Sequence, residues 1–120
     1  MEENSYPCPA CGFLVFDGFP GSYEICPVCL WEDDQVQLKH PLMSGGANSI
    51  SLLEHQQKLL NTISVTLREF DGYKRAHGWR PLSEKDCANS SYPPKSGQEY
   101  FQAVIEASPL YYWQKDKVDD

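Results

Sequence analysis

The 120-residue chain has no apolar run long enough to span a bilayer. Such a run would take about 20 residues. Its opening, MEENSYPC, carries acids where a secretory leader would carry basic and then apolar residues. We therefore expect a cytoplasmic protein that makes no membrane contact. Positive charge is also scarce: 10 Lys and Arg stand against 17 Asp and Glu, for a net charge of −7. Lys74-Arg75 is the only adjacent basic pair, so the footprint that neutralises phosphates is missing and no nucleic-acid partner is expected. The chain has no H-E-x-x-H, no nucleophile elbow, no dinucleotide glycine fingerprint and no Ser/His/Asp order. Gly45-Gly46 lacks the Lys-Ser/Thr ending of a phosphate loop. No catalytic residue is nominated, and the expectation is a protein that is not an enzyme. A hydrophobic content of 41% with seven tyrosines still suits a folded domain, not a disordered chain.

The chemistry that is present lies in thiols. Four of the five cysteines fall in YPCPACGFLVFDGFPGSYEICPVCLWEDD, residues 6–34. Cys8 and Cys11 form one Cys-Pro-x-Cys pair and Cys26 and Cys29 a second, with residues 12–25 between them. A tetrahedral metal takes thiolates at about 2.3 Å. One C-x-x-C turn aims two sulfurs at a point, and a second turn brought back by a hairpin supplies the other two. Proline after the first cysteine of each pair fixes φ and preforms the turn. Between the pairs, Phe13–Phe16 reads as a strand, Asp17-Gly18 and Pro20-Gly21 as turns, and Tyr23–Ile25 as the returning strand. The plan is that of a zinc ribbon. Two disulfides, a redox dithiol or plain core thiols are the alternatives. Disulfides need an oxidising compartment, however, and a redox dithiol opens a helix with one pair. The expected ligands are Cys8, Cys11, Cys26 and Cys29, holding a structural Zn2+, with iron as the alternative. A closed site of four cysteines leaves no open position for water or substrate.

These residues also carry a resemblance. YPCPACGF, GSYEICPVCLWEDD and GGANSISLLEHQ, in that order, resemble the bacterial cysteine-rich CPCC domain proteins. Members read YPCPCCG, GSYEICPVCFWEDD and GGANGVSLAEAQ at comparable positions. The likeness covers about residues 5–60 and extends more faintly through HGWRPLSEKD near residue 86. Ala10 stands where the family has a cysteine next to Cys11, which implies that the adjacent cysteine of the relatives is not a ligand. Some relatives lie near toxin genes, so the resemblance also implies an immunity-type role in a bacterial toxin system as one alternative.

After the ribbon, Glu32, Asp33 and Asp34 read as caps and solvation for the next turn rather than a cation site, and Trp31 as a cover for the second pair. Residues 35–48 read as a loop carrying an exposed His40. Ser51-Leu52-Leu53-Glu54 matches a capping box. Leu52, His55/Gln56, Leu59/Leu60, Ile63, Leu67 and Phe70 then keep three-and-four spacing, which predicts an amphipathic helix over 52–70. Its stripe is expected to bury against Phe13, Val15, Phe16 and Trp31. His55 falls at the edge of that stripe, and His77 reads as a helix C-terminal cation. Residues 83–98 read as a linker in which Cys87 is incidental, and 98–107 as a short helix. Tyr111, Tyr112 and Trp113 either complete the core or form an interface.

The expected fold class is small α+β: a zinc-ribbon-like hairpin with a four-cysteine site packed on one main helix, plus a short C-terminal helix. The expected organisation is a cysteine-rich domain over 5–86 and a C-terminal extension over 87–120 docked on it. The functional expectation is a zinc-binding protein-interaction module with an unidentified protein partner. A rubredoxin-like iron electron carrier is the alternative from a different class. Against iron stands Leu30, since rubredoxins place glycine after each pair.

Overall fold

Each Cys-Pro-x-Cys pair forms the turn of its own small hairpin in the structure, a computed structural model that describes residues 6–18, 21–88 and 111–117. Around the first pair, β1 (Tyr6–Pro7) runs antiparallel to β2 (Leu14–Phe16), with Tyr6 opposite Phe16 and Pro7 opposite Leu14. Around the second pair, Ile25 bridges Glu32, and Tyr23 and Glu24 exchange backbone hydrogen bonds with Asp33, both 2.9 Å. The strand expected at Phe13–Phe16 is therefore present, but it does not pair with Tyr23–Ile25. The cause is local. Cys8 N–H donates to Phe13 O and Cys26 N–H to Trp31 O, both at 2.9 Å, so each turn commits its flanks to each other. Of the expected Pro20-Gly21 turn, Pro20 lies outside the described residues.

The loop expected over 35–48 contains a helix, α1 (Gln35–Lys39). Asp34 is its N-cap: Oδ1 accepts from Val36 N–H at 2.8 Å and from Gln37 N–H at 3.2 Å. Its Oδ2 accepts from Ala47 N–H at 2.9 Å. A Cβ on Gly46 would lie 2.6 Å from that same oxygen, so the backbone approach needs glycine. Buried Gln37 organises the rest of the loop, donating to Met43 O and Ile50 O and accepting from Asn48 N–H. His40 is buried, not exposed, at 4% accessibility. Pro41 O accepts from Leu53 N–H, which folds this stretch onto the next helix.

That helix, α2 (Leu52–Leu59), starts where expected, with Ser51 Oγ accepting from Glu54 N–H at 3.1 Å. It ends early, at Leu59 instead of Phe70. Thr62 turns its hydroxyl back onto Leu59 O, and the chain then winds through turns to a second hairpin. In that hairpin β3 (Glu69–Phe70) pairs with β4 (Tyr73–Lys74). Asp71 and Gly72 between them have φ of 54° and 87°. Two successive left-handed residues of this kind close a two-residue hairpin. Leu67 and Phe70 leave the apolar stripe and are exposed, while Leu52 and Leu59 remain buried with Phe13, Val15, Phe16 and Trp31. His77 lies in an exposed turn after β4, with no helix behind it to cap.

The stretch read as a linker opens with α3 (Glu84–Ala88), started by Ser83 and Asp86 bonding to each other's backbone N–H. Arg80 pairs with Asp86 at 2.7 Å. The rest of that stretch and the helix expected over 98–107 lie outside the described residues. A 3₁₀ helix follows at Tyr112–Lys117. Tyr111, Tyr112 and Trp113 are only 3%, 3% and 6% accessible and belong to the same core as Phe13 and Trp31, so the rings are core. Among the described residues the protein is a small α+β fold with two hairpin sheets and three α-helices, none long and apolar enough to cross a membrane.

Candidate metal centre

The two hairpin turns bring Cys8, Cys11, Cys26 and Cys29 together, with all four Sγ atoms within 4.8 Å of one another. Cys8 Sγ and Cys29 Sγ are 3.6 Å apart, and Cys11 Sγ and Cys26 Sγ 3.7 Å. Sulfurs at the corners of a tetrahedron, bonded at about 2.3 Å to its centre, are separated by about 3.8 Å. A disulfide would bring them to about 2.05 Å. The spacing therefore fits four thiolates around one ion, and all four cysteines are free. Three of the four are fully buried and Cys29 is half-buried. Val28 and Cys29 N–H groups point at Cys26 Sγ from 3.3 and 3.4 Å, donors that favour charge on that sulfur.

Electrostatics inside the cluster follow from crowding. Burial pushes the Cys8 thiol well up, and the neighbouring Cys11, Cys26 and Cys29 sulfurs add to the rise. Cys29 is pushed up by Cys11 and Cys26 as well as by burial. Cys26 moves the other way, because the Cys11, Cys29 and Cys8 thiols donate to it and the Cys29 backbone N–H assists. A divalent cation held here would take the place of thiol protons, and its binding would release them.

Residues outside the ribbon hold both turns from behind. His55 Nε2 lies 3.0 Å from Cys29 O, and its ring packs 5.2 Å from buried Trp31. The next residue on α2, Gln56, donates to Ala10 O at 3.0 Å in the first turn and accepts from Leu82 N–H at 2.7 Å. Tyr112 donates its hydroxyl to Pro9 O at 3.0 Å. Arg75, 4% accessible, donates from Nε to Cys11 O at 2.8 Å and from Nη1 to Ser64 O and Leu67 O. Its guanidinium lies between the faces of Phe13 and Trp79, 4.5 and 4.4 Å from their centroids. Four thiolates on a divalent ion would leave a net charge of about −2, which this fixed cation would offset.

Sequence reasoning nominates none of these supports as part of the site. His55 and Gln56 are marked only by their place on the helical stripe. No local signal marks Arg75, whose burial depends on two rings distant in sequence. The acidic run caps as expected but does not solvate an exposed face: Asp34 caps α1, Asp33 Oδ2 accepts from Gly21 N–H, Ser22 N–H and Ser22 Oγ, and both residues are fully buried. Cys87 is half-buried in α3, and burial with the adjacent Asp86 charge pushes its thiol up, away from a reactive thiolate.

The turns are equivalent in backbone. Gly12 N–H donates to Cys8 O at 2.7 Å and Leu30 N–H to Cys26 O at 2.9 Å, and the two residues have φ of 84° and 71°. Leu30 therefore adopts the left-handed conformation for which glycine is the unstrained choice. A leucine where rubredoxins carry glycine leaves the turn geometry unchanged.

A comparison of the chain with curated proteins finds no match. The family model described as cysteine-rich CPCC matches residues 6–76, from the first strand of the ribbon through Arg75 and Ala76. With both thiol turns, α2 and the second hairpin inside that match, the chain belongs to the cysteine-rich CPCC family.

Proposed function

We propose that this chain is a cytoplasmic, non-enzymatic protein-binding module shaped by one structural zinc on Cys8, Cys11, Cys26 and Cys29. The observation that carries the metal reading is the closed, buried set of four sulfurs at tetrahedral spacing. A bound zinc supplies cross-linking energy there, because four thiolates leave no coordination position for water or substrate. A net charge of −7 supports a protein partner over a nucleic acid.

For binding, the support lies in the hairpin around the second pair. It exposes Tyr23, Ile25 and Leu30, and both Tyr23 and Leu30 hold positive φ. Leu30 is 71% accessible, so its side chain contributes little to the fold while its backbone is strained. Such a residue suits a contact made outside the chain. The C-terminal aromatic rings, weighed as an interface from sequence, are enclosed in the core and are not part of this surface.

Elemental analysis of protein purified without added metal tests the first part, and one zinc per chain is expected. Metal near zero with four intact thiols overturns it. For the second part, Leu30→Gly relieves the strained backbone and removes the side chain together. A partner captured by the wild type is expected to be lost by L30G with stability kept. Equal capture by both proteins overturns this surface. The iron reading gains from one observation, the glycine-like backbone at Leu30. Visible absorbance decides it, since zinc held by four thiolates is colourless.

A further inference from the structure

Tyr112 joins the C-terminal segment to the backbone between two of the thiols. Its hydroxyl donates to Pro9 O at 3.0 Å and accepts from Gln56 Nε2 at 3.0 Å. Gln56 also holds Ala10 O, and Pro9 and Ala10 are the two residues between Cys8 and Cys11. All of these residues are buried. Pro9 O is therefore within reach of Tyr112 only while the first turn keeps its closed shape, and that shape places Cys8 and Cys11 Sγ beside Cys26 and Cys29. Removing the ion takes away the bonds that would tie this turn's two sulfurs to the other pair, and the Tyr112, Gln56 and Arg75 side chains are then what hold the turn.

A second observation comes from the other end of the same contact. Among the described residues, the Tyr111 hydroxyl and Asp33 Oδ1 are both buried without a hydrogen-bond partner, and the Asp33 charge acts on Tyr111. Docking this segment thus carries an uncompensated polar cost, which offsets part of what its three buried rings contribute.

We infer that Tyr111–Trp113 is a strap latched by the metal: docked in the core while a thiophilic cation holds the four sulfurs, and released, with its three rings exposed, when the cation leaves. This rests on reading the cluster as a metal site. The coupling is reciprocal, so whatever loosens the strap must weaken the metal by the same factor, typically about 5- to 150-fold for coupled sites.

Two measurements on the full-length, metal-loaded protein test it. The first is metal affinity, read by competition with a chelating dye, for wild type, Tyr112→Phe and Val36→Ala. Val36 is fully buried on α1 and serves as a core control. Affinity of Y112F is expected to be at least about 5-fold weaker, the lower end of ordinary coupling, and that of V36A about the same as wild type. A Y112F affinity matching that of wild type, or a V36A affinity weakened as much as that of Y112F, overturns the inference. The second is amide hydrogen exchange before and after chelation. The Gln114 N–H, bonded to Tyr111 O at 3.1 Å, is expected to lose protection while α2 amides such as His55 keep theirs. A strap still protected without metal, or a strap and α2 lost together, refutes a local latch. A preparation that never contains metal instead refutes the metal reading itself. The two failures are therefore distinguishable.

Discussion

Gly12 and Leu30 occupy the same place in the two thiol turns and should respond in opposite ways to substitution. Gly12→Ala meets two obstacles. The first is its left-handed φ of 84°. A residue with a Cβ pays about 1–2 kcal/mol for that conformation. The second is steric, because the added Cβ would lie 2.5 Å from Trp79 Cδ2, in a ring that packs on Arg75. Shifting that ring adds about 1–3 kcal/mol of overpacking. The sum is about 2–5 kcal/mol. Leu30→Gly removes the same backbone strain. It gives back about 0.5–1 kcal/mol through the greater freedom of unfolded glycine. Leu30 is already 71% accessible. Lost burial therefore adds less than about 1 kcal/mol. The terms nearly cancel, so L30G should lie within about 1 kcal/mol of the wild type. At about 4 °C per kcal/mol for a chain of this size, G12A should melt at least about 8 °C lower and L30G within about 4 °C of it. Thermal unfolding of preparations with matched metal content is the assay. If G12A melts with the wild type, or L30G falls as far as G12A, the equivalence of the two turns and the role of Trp79 are both wrong.

Three further substitutions have expected outcomes. Trp113→Ala empties a buried ring stacked 4.6 Å from Tyr111. It should cost about 3–5 kcal/mol in denaturant melts, and unchanged stability with altered association would make the rings an interface. Cys26→Ala should abolish folding of the ribbon or lower its melting temperature sharply, because structural zinc in finger peptides is worth about 10–16 kcal/mol. Cys87→Ser should stay within about 1 kcal/mol, and equal losses from the two would move the site elsewhere.

What can be read from the sequence is what depends on neighbours in the chain. The two Cys-Pro-x-Cys turns and the Ser51 cap are local chemistry, and both are legible. The end of α2 is not, because Ile63, Leu67 and Phe70 continue the spacing of Leu52 and Leu59 by coincidence. Thr62, Val65 and Thr66 are β-branched residues that weaken a helix there, and Asp71-Gly72 is a hairpin signal more than a helix stop. Helix α1 is hidden by its length of five residues and by Pro41 soon after it. The strand pairing eludes a sequence reading because the turn residues between the thiol pairs look sufficient for a hairpin, whereas each thiol turn already is one. Arg75 is a polar residue whose burial is decided by partners far along the chain, Cys11 and Phe13, and Gln37 is buried by a loop that folds over it. Composition marks such residues as surface, and only the assembled structure reverses that.

The bond from Tyr112 to Pro9 spans 103 positions of sequence. Closing a flexible loop of that length costs about 4 kcal/mol in chain entropy before any constant term. One hydrogen bond returns about 0.5–1.5 kcal/mol and cannot drive the step. Three rings entering the core can, at about 1.5–3 kcal/mol each. The hydroxyl's part is then to choose where the rings land. During synthesis the thiol turns emerge first and can close on their own, whereas this seam waits for nearly the whole chain to follow. For that interval Pro9 O and Gln56 Nε2 lack the Tyr112 hydroxyl that joins them, and the core lacks three of its rings. The newborn protein is therefore most prone to stick to other chains after its thiol site has formed, not before.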